Sequence, residues 1–195
     1  IKKVDITQAA GAVPLSVKSL KADLVVCSGY KWLGGHGGIA FAIFSKDLLK
    51  RQPPWIGWFG GINPFDMDAT RLSLAKTAAK YTQSTLSYIS AIGLNTALDD
   101  LLKMNIERIF LHSHSLASIL MTKLEGHNWK PFHSTTSSEF SPHIISLRTS
   151  KLNVQSKIME LTESGIICGI RNGRIRISIA HYNNESDILY LLDQL

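Results

Sequence analysis

The apolar positions in the first 45 residues fall in short continuous runs separated by polar turns. Runs of this length predict strands over residues 1–5, 24–28 and 38–45, with a short helix or turn over 16–22. Strands that are apolar along their whole length are typical of a sheet covered on both faces. Ligands of such sheets bind beyond the strand ends, so polar residues in the turns that follow the strands are the first place to look for a site.

The middle of the chain changes from short runs to a helical period. Residues 85–104 and 105–124 carry apolar side chains at helical spacing, and Leu94, Leu98 and Leu101 share one face of the first helix. Before these helices, residues 51–75 show no regular period and are rich in aromatic side chains and glycine. A long irregular stretch of this kind inside a compact domain is often functional.

The last third alternates between strand and helix patterns. It predicts strands over 143–149, 165–171 and 173–180 and helices over 152–163 and 184–194. Asn172-Gly173 between two strand runs is a strong hairpin signal. Asn184 followed three residues later by Asp187 is typical of a capped helix start. This pattern predicts a small α+β domain with helices packed on an antiparallel sheet, and a boundary near residue 102.

Composition narrows the class of protein. The chain has 195 residues, of which 45% are hydrophobic and 18% are charged, which is typical of a globular protein with one large or two small domains. The formal net charge is +6, but the basic residues are scattered, so we expect no nucleic-acid surface. The apolar runs are too short for a membrane span.

The cysteine and histidine residues exclude several kinds of site. Cys27 and Cys168 lie in apolar runs and are interpreted as buried free thiols of a reducing compartment, so we expect a cytoplasmic protein. His112 and His114 are two apart on a helix and point to different sides, so exposure is expected rather than metal binding. No metal site is predicted.

The candidate chemistry centres on Lys31. It lies in Ser28-Gly29-Tyr30-Lys31-Trp32, directly after a strand run, and Asp5 ends an earlier strand. A lysine amine and a carboxylate at neighbouring strand ends are what pyridoxal phosphate (PLP) requires. The amine forms the Schiff base and the carboxylate keeps the ring nitrogen protonated. The simpler interpretations are a solvated lysine and an aspartate that caps a helix.

Three stretches resemble the class V aminotransferases, which are PLP enzymes of fold type I. Residues 4–11 (VDITQAAG) are similar to the D-x-x-Q-x-x-G motif of that family, and residues 28–33 (SGYKWL) to its lysine segment. Residues 173–178 (GRIRIS) with 181–183 (HYN) are similar to its R-I-S-x-x-x-Y-N ending. The resemblance implies an α/β fold. Residues 1–102 would be the C-terminal part of the PLP-binding large domain, with a mostly parallel sheet, and 103–195 a small α+β domain.

The resemblance also implies roles for individual residues. Lys31 would carry the cofactor and then move the substrate α-proton, and Asp5 would pair with the pyridinium nitrogen. Gln8 is similar to the glutamine that hydrogen-bonds the phenolic oxygen of the cofactor. Ser28 and Tyr30 are similar to phosphate contacts.

Two further roles lie outside these turns. Thr85 is similar to a threonine that reaches the phosphate across a dimer interface, which implies a homodimer. Arg176 is similar to the arginine that binds the substrate α-carboxylate. Arg174 shares a strand face with Arg176, so the pattern alone does not choose between them. Arg171 and Arg148 are nearby alternatives.

The expected function is a PLP enzyme acting on an amino acid or amine, with aminotransferase or epimerase-like activity first. A cysteine desulfurase or selenocysteine lyase is the alternative, disfavoured because neither cysteine lies in an evidently exposed loop. A second alternative is a non-catalytic member of the family. Because the resemblance begins in the middle of the large domain of the family, we expect the chain to be a fragment of a homodimeric enzyme.

Overall fold

The computed structural model describes residues 1–66, 68 and 70–195, and divides into two compact units, Ile1–Lys103 and Met104–Leu195. Each unit is described by itself. The irregular stretch 51–75 includes positions 67 and 69, which lie outside the described residues. The described part of that stretch contains a 3₁₀ turn at Trp58–Gly60, in which Trp58 makes edge contacts with Phe59 and Phe65.

The first unit contains a three-stranded sheet of order β1-β2-β3. Its elements are β1 (Lys3–Asp5), α1 (Val17–Leu20), β2 (Leu24–Ser28), β3 (Ala40–Phe44), α2 (Lys46–Leu49) and α3 (Tyr88–Met104). Strands β1 and β2 are parallel, whereas β2 and β3 are antiparallel. The expectation of a mostly parallel sheet is therefore wrong for β3. Residues 29–39 form turns instead of the long crossover, usually a helix, that a parallel partner would need.

The buried apolar side chains of the first unit include Val25 and Cys27 of β2, and also Leu33, Leu94 and Leu101. Strand β3, by contrast, is largely exposed, and Ile43 keeps 41% of its surface accessible. The apolar runs predicted a sheet that is covered on both faces. Within this unit that prediction does not hold for β3.

The second unit contains a four-stranded antiparallel sheet of order β4-β5-β7-β6. Its elements are α4 (Ile106–Lys123), β4 (Lys130–Pro131), β5 (Ile144–Arg148), α5 (Val154–Glu163), β6 (Gly169–Arg171), β7 (Arg174–Ser178) and α6 (Glu185–Gln194). Residues Asn172 and Gly173 both have positive φ, 50° and 69°, and close the β6–β7 hairpin as the sequence predicts. The antiparallel α+β arrangement is confirmed, although the two-residue edge strand β4 was missed.

Strand β6 begins four residues later than predicted because helix α5 ends in a Schellman motif. Gly165 has φ +78°, and its N–H donates to the carbonyl oxygen of Thr162 at 3.0 Å. The N–H of Ile166 donates to the carbonyl oxygen of Leu161 at 2.8 Å. Residues 166–168 therefore follow the helix as a segment without regular secondary structure. Cys168 consequently lies outside the strand in which the sequence placed it.

The sheet of the second unit has one apolar and one polar face. Ile145, Leu147, Ile175 and Ile177 point to a core that also contains the fully buried Trp129. The rest of this core comes from helices α4, α5 and α6 and from the residues that directly follow α4 and β7: Leu116, Ala117, Leu120, Leu124, Leu161, Ile179, Ile188 and Leu191. The residues between the apolar positions point the other way, and they include several arginines.

Helix α6 begins at the predicted capping box. The side chain of Asn184 accepts from the N–H of Asp187 at 3.2 Å, and the N–H of Asn184 donates to the Asp187 carboxylate at 3.0 Å. We expect Asn184→Ala to lower the free energy of unfolding by about 0.5–2 kcal/mol, measured by urea denaturation. Asn184→Ser keeps a capping acceptor and is the matched control. An equal loss in both variants would show that the cap is not the cause.

Within the described residues no helix is both long and apolar enough to span a bilayer. In the same part of the chain, no group of three or more His, Cys, Asp or Glu side chains is arranged to hold a metal ion.

Candidate active site

Two of the predicted site residues lie at the ends of adjacent parallel strands. Asp5 is the last residue of β1, and Lys31 follows the end of β2 by three residues. Asp5 lies beside Val26 in the β1–β2 register, so the carboxyl ends of both strands meet at one edge of the sheet. This edge is where the fold presents an amine and a carboxylate side by side.

The carboxylate of Asp5 is held by the residue two positions on. The N–H of Thr7 donates to Oδ1 of Asp5 at 2.8 Å, which closes a turn directly after β1. Hydrogen bonds from Thr7, first from its side chain and then from its backbone, lower the pKa of Asp5, and the positive charge of Lys31 adds to this effect. Asp5 is therefore ionised at neutral pH and suited to pair with a cationic ring N–H.

Thr7 also connects the two strand ends, a role that sequence reasoning missed. Its Oγ1 accepts a hydrogen bond from the N–H of Ser28 at 3.0 Å, and the residue is buried. A hydroxyl two residues after the aspartate in the motif was the signal that could have found it. One side chain thus fixes both Asp5 and the start of the lysine turn.

We expect Thr7→Val to raise the pKa of Asp5 toward its ordinary value, because the variant loses the hydroxyl donor. A carboxyl group whose pKa is lowered by folding stabilises the fold above its unfolded pKa, and this contribution disappears as the pH falls through the folded pKa. In Thr7→Val this contribution should be smaller, so less stability should be lost as the pH falls through the folded pKa of Asp5. NMR titration of the Asp5 carboxyl carbon measures the shift. Thr7→Ser, which keeps the hydroxyl, should titrate like the original protein, and an unchanged pKa in Thr7→Val would contradict the assignment.

The turn that carries Lys31 is fixed by backbone hydrogen bonds. The N–H of Gly34 donates to the carbonyl oxygen of Lys31, and the N–H of Gly35 to that of Gly29, both at 2.9 Å. Leu33 is buried beneath the turn. The backbone is thus fixed while the Lys31 side chain is exposed, with its Nζ 5.8 Å from the centre of the exposed Tyr30 ring.

The loop after β1 contacts this turn at Gly11. Gly11 has φ +92°, and a Cβ atom there would collide with the carbonyl group of Trp32. The Trp32 ring N–H donates to Oε1 of Gln8 at 3.1 Å. The sequence motif contains Gly11 but does not show why glycine is needed there. The structure shows that only a residue without a side chain lets the two loops meet.

The other predicted cofactor contacts do not all lie at the edge formed by β1 and β2. Gln8, Ser28 and Tyr30 belong to the same edge as Asp5 and Lys31. Thr85 is exposed in the irregular segment that leads into α3.

Arg176 and Arg174 lie in the second unit, on the polar face of β7. Arg176 lies between Ser146 of β5 and Gly169 of β6. The Nε–H groups of Arg176 and Arg174 are both buried and donate to no acceptor among the described residues. An unpaired guanidinium N–H of this kind is suited to a carboxylate ligand.

The thiols are less reactive than ordinary cysteines. Cys27 is buried in β2 and Cys168 is half-buried in the irregular segment before β6. Burial raises the pKa of both thiols, so less thiolate is present at neutral pH. His114 is exposed as predicted, but His112 is partly buried, with Nε2 2.8 Å from the carbonyl oxygen of Asn183.

These side chains suit the cofactor that the sequence indicates. PLP requires a primary amine for its aldehyde, an anion for its ring nitrogen and polar donors for its phosphate. The edge formed by β1 and β2 offers Lys31, an ionised Asp5, and hydroxyl groups on Ser28 and Tyr30.

Comparison with known proteins gives consistent matches. A family model for aminotransferase class-V matches residues 1–191. A probable cysteine desulfurase of Streptomyces coelicolor is 31% identical over 121 residues, which are 62% of this chain and 28% of the relative. The uncharacterized aminotransferase YcbU of Bacillus subtilis is 23% identical over 193 residues, which are 98% of this chain and 50% of the relative.

Among solved structures, the apo cysteine desulfurase from Thermococcus onnurineus NA1 has a TM-score of 0.87 at 22% identity. The match covers 98% of this chain and 50% of that one. This likeness shows the fold, and it confirms the expected α/β type for the part of the architecture that is present. The chain spans half or less of the length of these three proteins.

Proposed function

Because the chain belongs to the aminotransferase class-V family, whose cofactor is pyridoxal phosphate, we propose that it is part of an enzyme that cleaves the C–S bond of cysteine or a related sulfur amino acid. The placement of Asp5 and Lys31 at the ends of adjacent parallel strands is the observation that carries the enzymatic role. The sulfur substrate is supported by relatives and structural neighbours named as cysteine desulfurases. The aminotransferase or epimerase-like activity that the sequence favoured is not confirmed.

Each site residue has a defined task in this proposal. PLP, when bound, supplies an electron sink for the bond that breaks next to the substrate amine. Lys31 would hold the cofactor covalently and, once released, would move the proton at the substrate Cα. Asp5 would keep the ring nitrogen protonated. Ser28, Tyr30 and Thr85 would donate to the phosphate.

Arg176 orients the substrate in the same proposal. Its planar guanidinium group offers two parallel N–H donors to an α-carboxylate. A carboxylate fixed in this way would hold the substrate in a single orientation. The non-catalytic alternative is disfavoured because Asp5 and Lys31 are both present; full-length protein without a cofactor absorption band would support that alternative.

The fate of the sulfur distinguishes three versions of the reaction. In the first, a protein thiol takes the sulfur as a persulfide and leaves alanine. In the second, a thiol in solution takes the sulfur as a persulfide and again leaves alanine. In the third, water is consumed and the sulfur leaves as sulfide, with pyruvate and ammonia. Cys27 and Cys168 are poor acceptors because they are enclosed and their pKa values are raised by burial. We propose that neither carries the sulfur.

We therefore expect Cys27→Ser/Cys168→Ser to cleave cysteine at nearly the rate of the unchanged protein. Sulfide, persulfide, alanine and pyruvate are quantified after incubation with cysteine. The single variant Cys27→Ser separates any packing defect at the buried position from a loss of chemistry. Activity that disappears with Cys168→Ser alone would assign the sulfur to Cys168. No cleavage of cysteine by the unchanged protein would refute the proposed substrate.

Transamination is the second candidate. It is favoured by the enclosed thiols and by the match to YcbU along nearly the whole chain. An amino acid converted to its keto acid only when a second keto acid is present would support it, and cysteine would then release no sulfide.

The working enzyme is proposed to be a cytoplasmic homodimer. The role proposed for Thr85 requires a partner subunit, because in this family the corresponding contact crosses between subunits. Sedimentation of the full-length protein as a monomer that still turns over substrate would contradict this.

A further inference from the structure

Four cationic side chains lie side by side on the polar face of the second unit. Lys130 of β4 pairs with Arg148 of β5, and Arg174 of β7 pairs with Arg171 of β6. The β5–β7 register pairs Leu147 with Ile175, and its continuation by one residue places Arg148 next to Arg174. Residues directly opposite each other in an antiparallel sheet point to the same face, so these four residues form one line across all four strands. We call this line the basic row.

The basic row has no acidic neighbour in the sheet. None of the described residues in β4, β5, β6 and β7 is Asp or Glu. The five ion pairs recorded within the described part of the chain all involve other residues. Like charges directly opposite in a sheet repel, so the row is unfavourable unless an anion neutralises it.

The ring of Phe132 packs against the two arginines at the centre of the basic row. The guanidinium carbon of Arg174 lies 3.7 Å from the centre of the Phe132 ring, and that of Arg148 lies 5.9 Å from it. Stacking on an aromatic face fixes a guanidinium plane without using its N–H donors. The buried Nε–H of Arg174 donates to no acceptor among the described residues. The donors are therefore positioned before any ligand arrives, which reduces the ordering cost of binding.

A hollow adjoins the Lys130 end of the row. It has a volume of about 570 Å³ and lies between residues 126–128 and 149–151. Lys130, Arg148, Lys151 and His127 line it, and no carboxylate does among the described residues. A volume of this size suits a small molecule.

We propose that the basic row and its hollow form a binding site for a small multivalent anion, one that carries two or more phosphate or carboxylate groups. The row supplies several fixed cations, so a ligand with one charge would leave most of the repulsion in place. The site is separate from the α-carboxylate role of Arg176 and goes beyond the proposed function. It stands on the second unit alone.

Titration calorimetry with inorganic pyrophosphate and with citrate tests the site. We expect at least one of these anions to bind the full-length protein, and Arg148→Gln and Arg174→Gln to weaken that binding by about tenfold or more. Such a loss corresponds to removing one hydrogen bond to a charged group. Arg108→Gln is the matched control, because it removes the same charge from an exposed position on α4. A preference for pyrophosphate would assign a phosphate ligand, and a preference for citrate a carboxylate ligand.

Failure to bind either anion would overturn the proposal. Equal weakening by Arg108→Gln and Arg148→Gln would also overturn it, because that result describes general attraction to a basic protein. A second measurement needs no ligand. Lys130→Gln removes one repelling neighbour of Arg148, so the melting temperature should rise at low ionic strength and rise less at high ionic strength. A melting temperature that falls equally at both would show that the row is already neutralised within the protein.

Discussion

Replacing Lys31 by alanine should abolish turnover of any amino acid by the protein. The variant loses the amine that holds the cofactor and the base that moves the substrate proton. General acid–base catalysis alone contributes on the order of 10²–10⁴-fold to a rate, and the covalent role adds to that loss. The backbone of the turn is fixed by Gly34, Gly35 and Leu33, so the fold should survive the truncation of this exposed side chain.

The measurement is made in two parts on the full-length protein. Borohydride reduction followed by peptide mass analysis should place the cofactor on Lys31, and Lys31→Ala should yield no labelled peptide. Lys18→Ala, which truncates an exposed lysine of α1, is the matched control and should behave like the original protein. Cofactor trapped on a different lysine would show that the assignment of Lys31 is wrong.

Arg176→Ala should reduce kcat/KM for the amino acid strongly while leaving the cofactor attached. Breaking a desolvated charge pair by removing one partner costs on the order of 2–5 kcal/mol. Arg176 fits that description because its Nε is buried and finds no partner among the described residues. The loss should appear with amino-acid substrates and should be absent from the absorption spectrum of the protein without substrate.

Two further variants separate Arg176 from its neighbour. Arg176→Lys keeps the charge but not the two-pronged geometry, so it should recover only part of the lost kcat/KM. Arg174→Ala should have the smaller effect on amino-acid use, because Arg174 is stacked on Phe132 in the basic row. A larger effect at Arg174 than at Arg176 would reverse the assignment.

Much of the fold could be predicted because local pattern and tertiary structure agree. The apolar run 24–28 became β2 with the same bounds, and the Asn172-Gly173 hairpin and the Asn184 cap formed as predicted. In each case a few neighbouring residues determine the result. The parallel pair β1–β2 also followed from the family resemblance, and it places Asp5 and Lys31 at one edge.

The features that the sequence did not predict have a different cause. Strand β3 runs antiparallel because a turn replaced a crossover, and periodicity does not report strand direction. The apolar neighbours of Cys168 predict a strand at this position. Gly165 and Ile166 instead form the C-terminal cap of α5, and strand β6 begins only after Cys168. The contacts made by Thr7 and Gly11 join loops that are about 20 residues apart in sequence, and no local pattern records such contacts.

The contact between Gly11 and Trp32 bears on how the site responds to its surroundings. The excluded volume of backbone atoms keeps the two loops from approaching further, and hydrogen bonds from Trp32 to Gln8 and from Ser28 to Thr7 join them. Steric contact does not change with ionic strength or proton concentration, unlike attraction between an ammonium and a carboxylate. The spacing of the amine and the carboxylate should therefore hold across the salt and pH range of a cell.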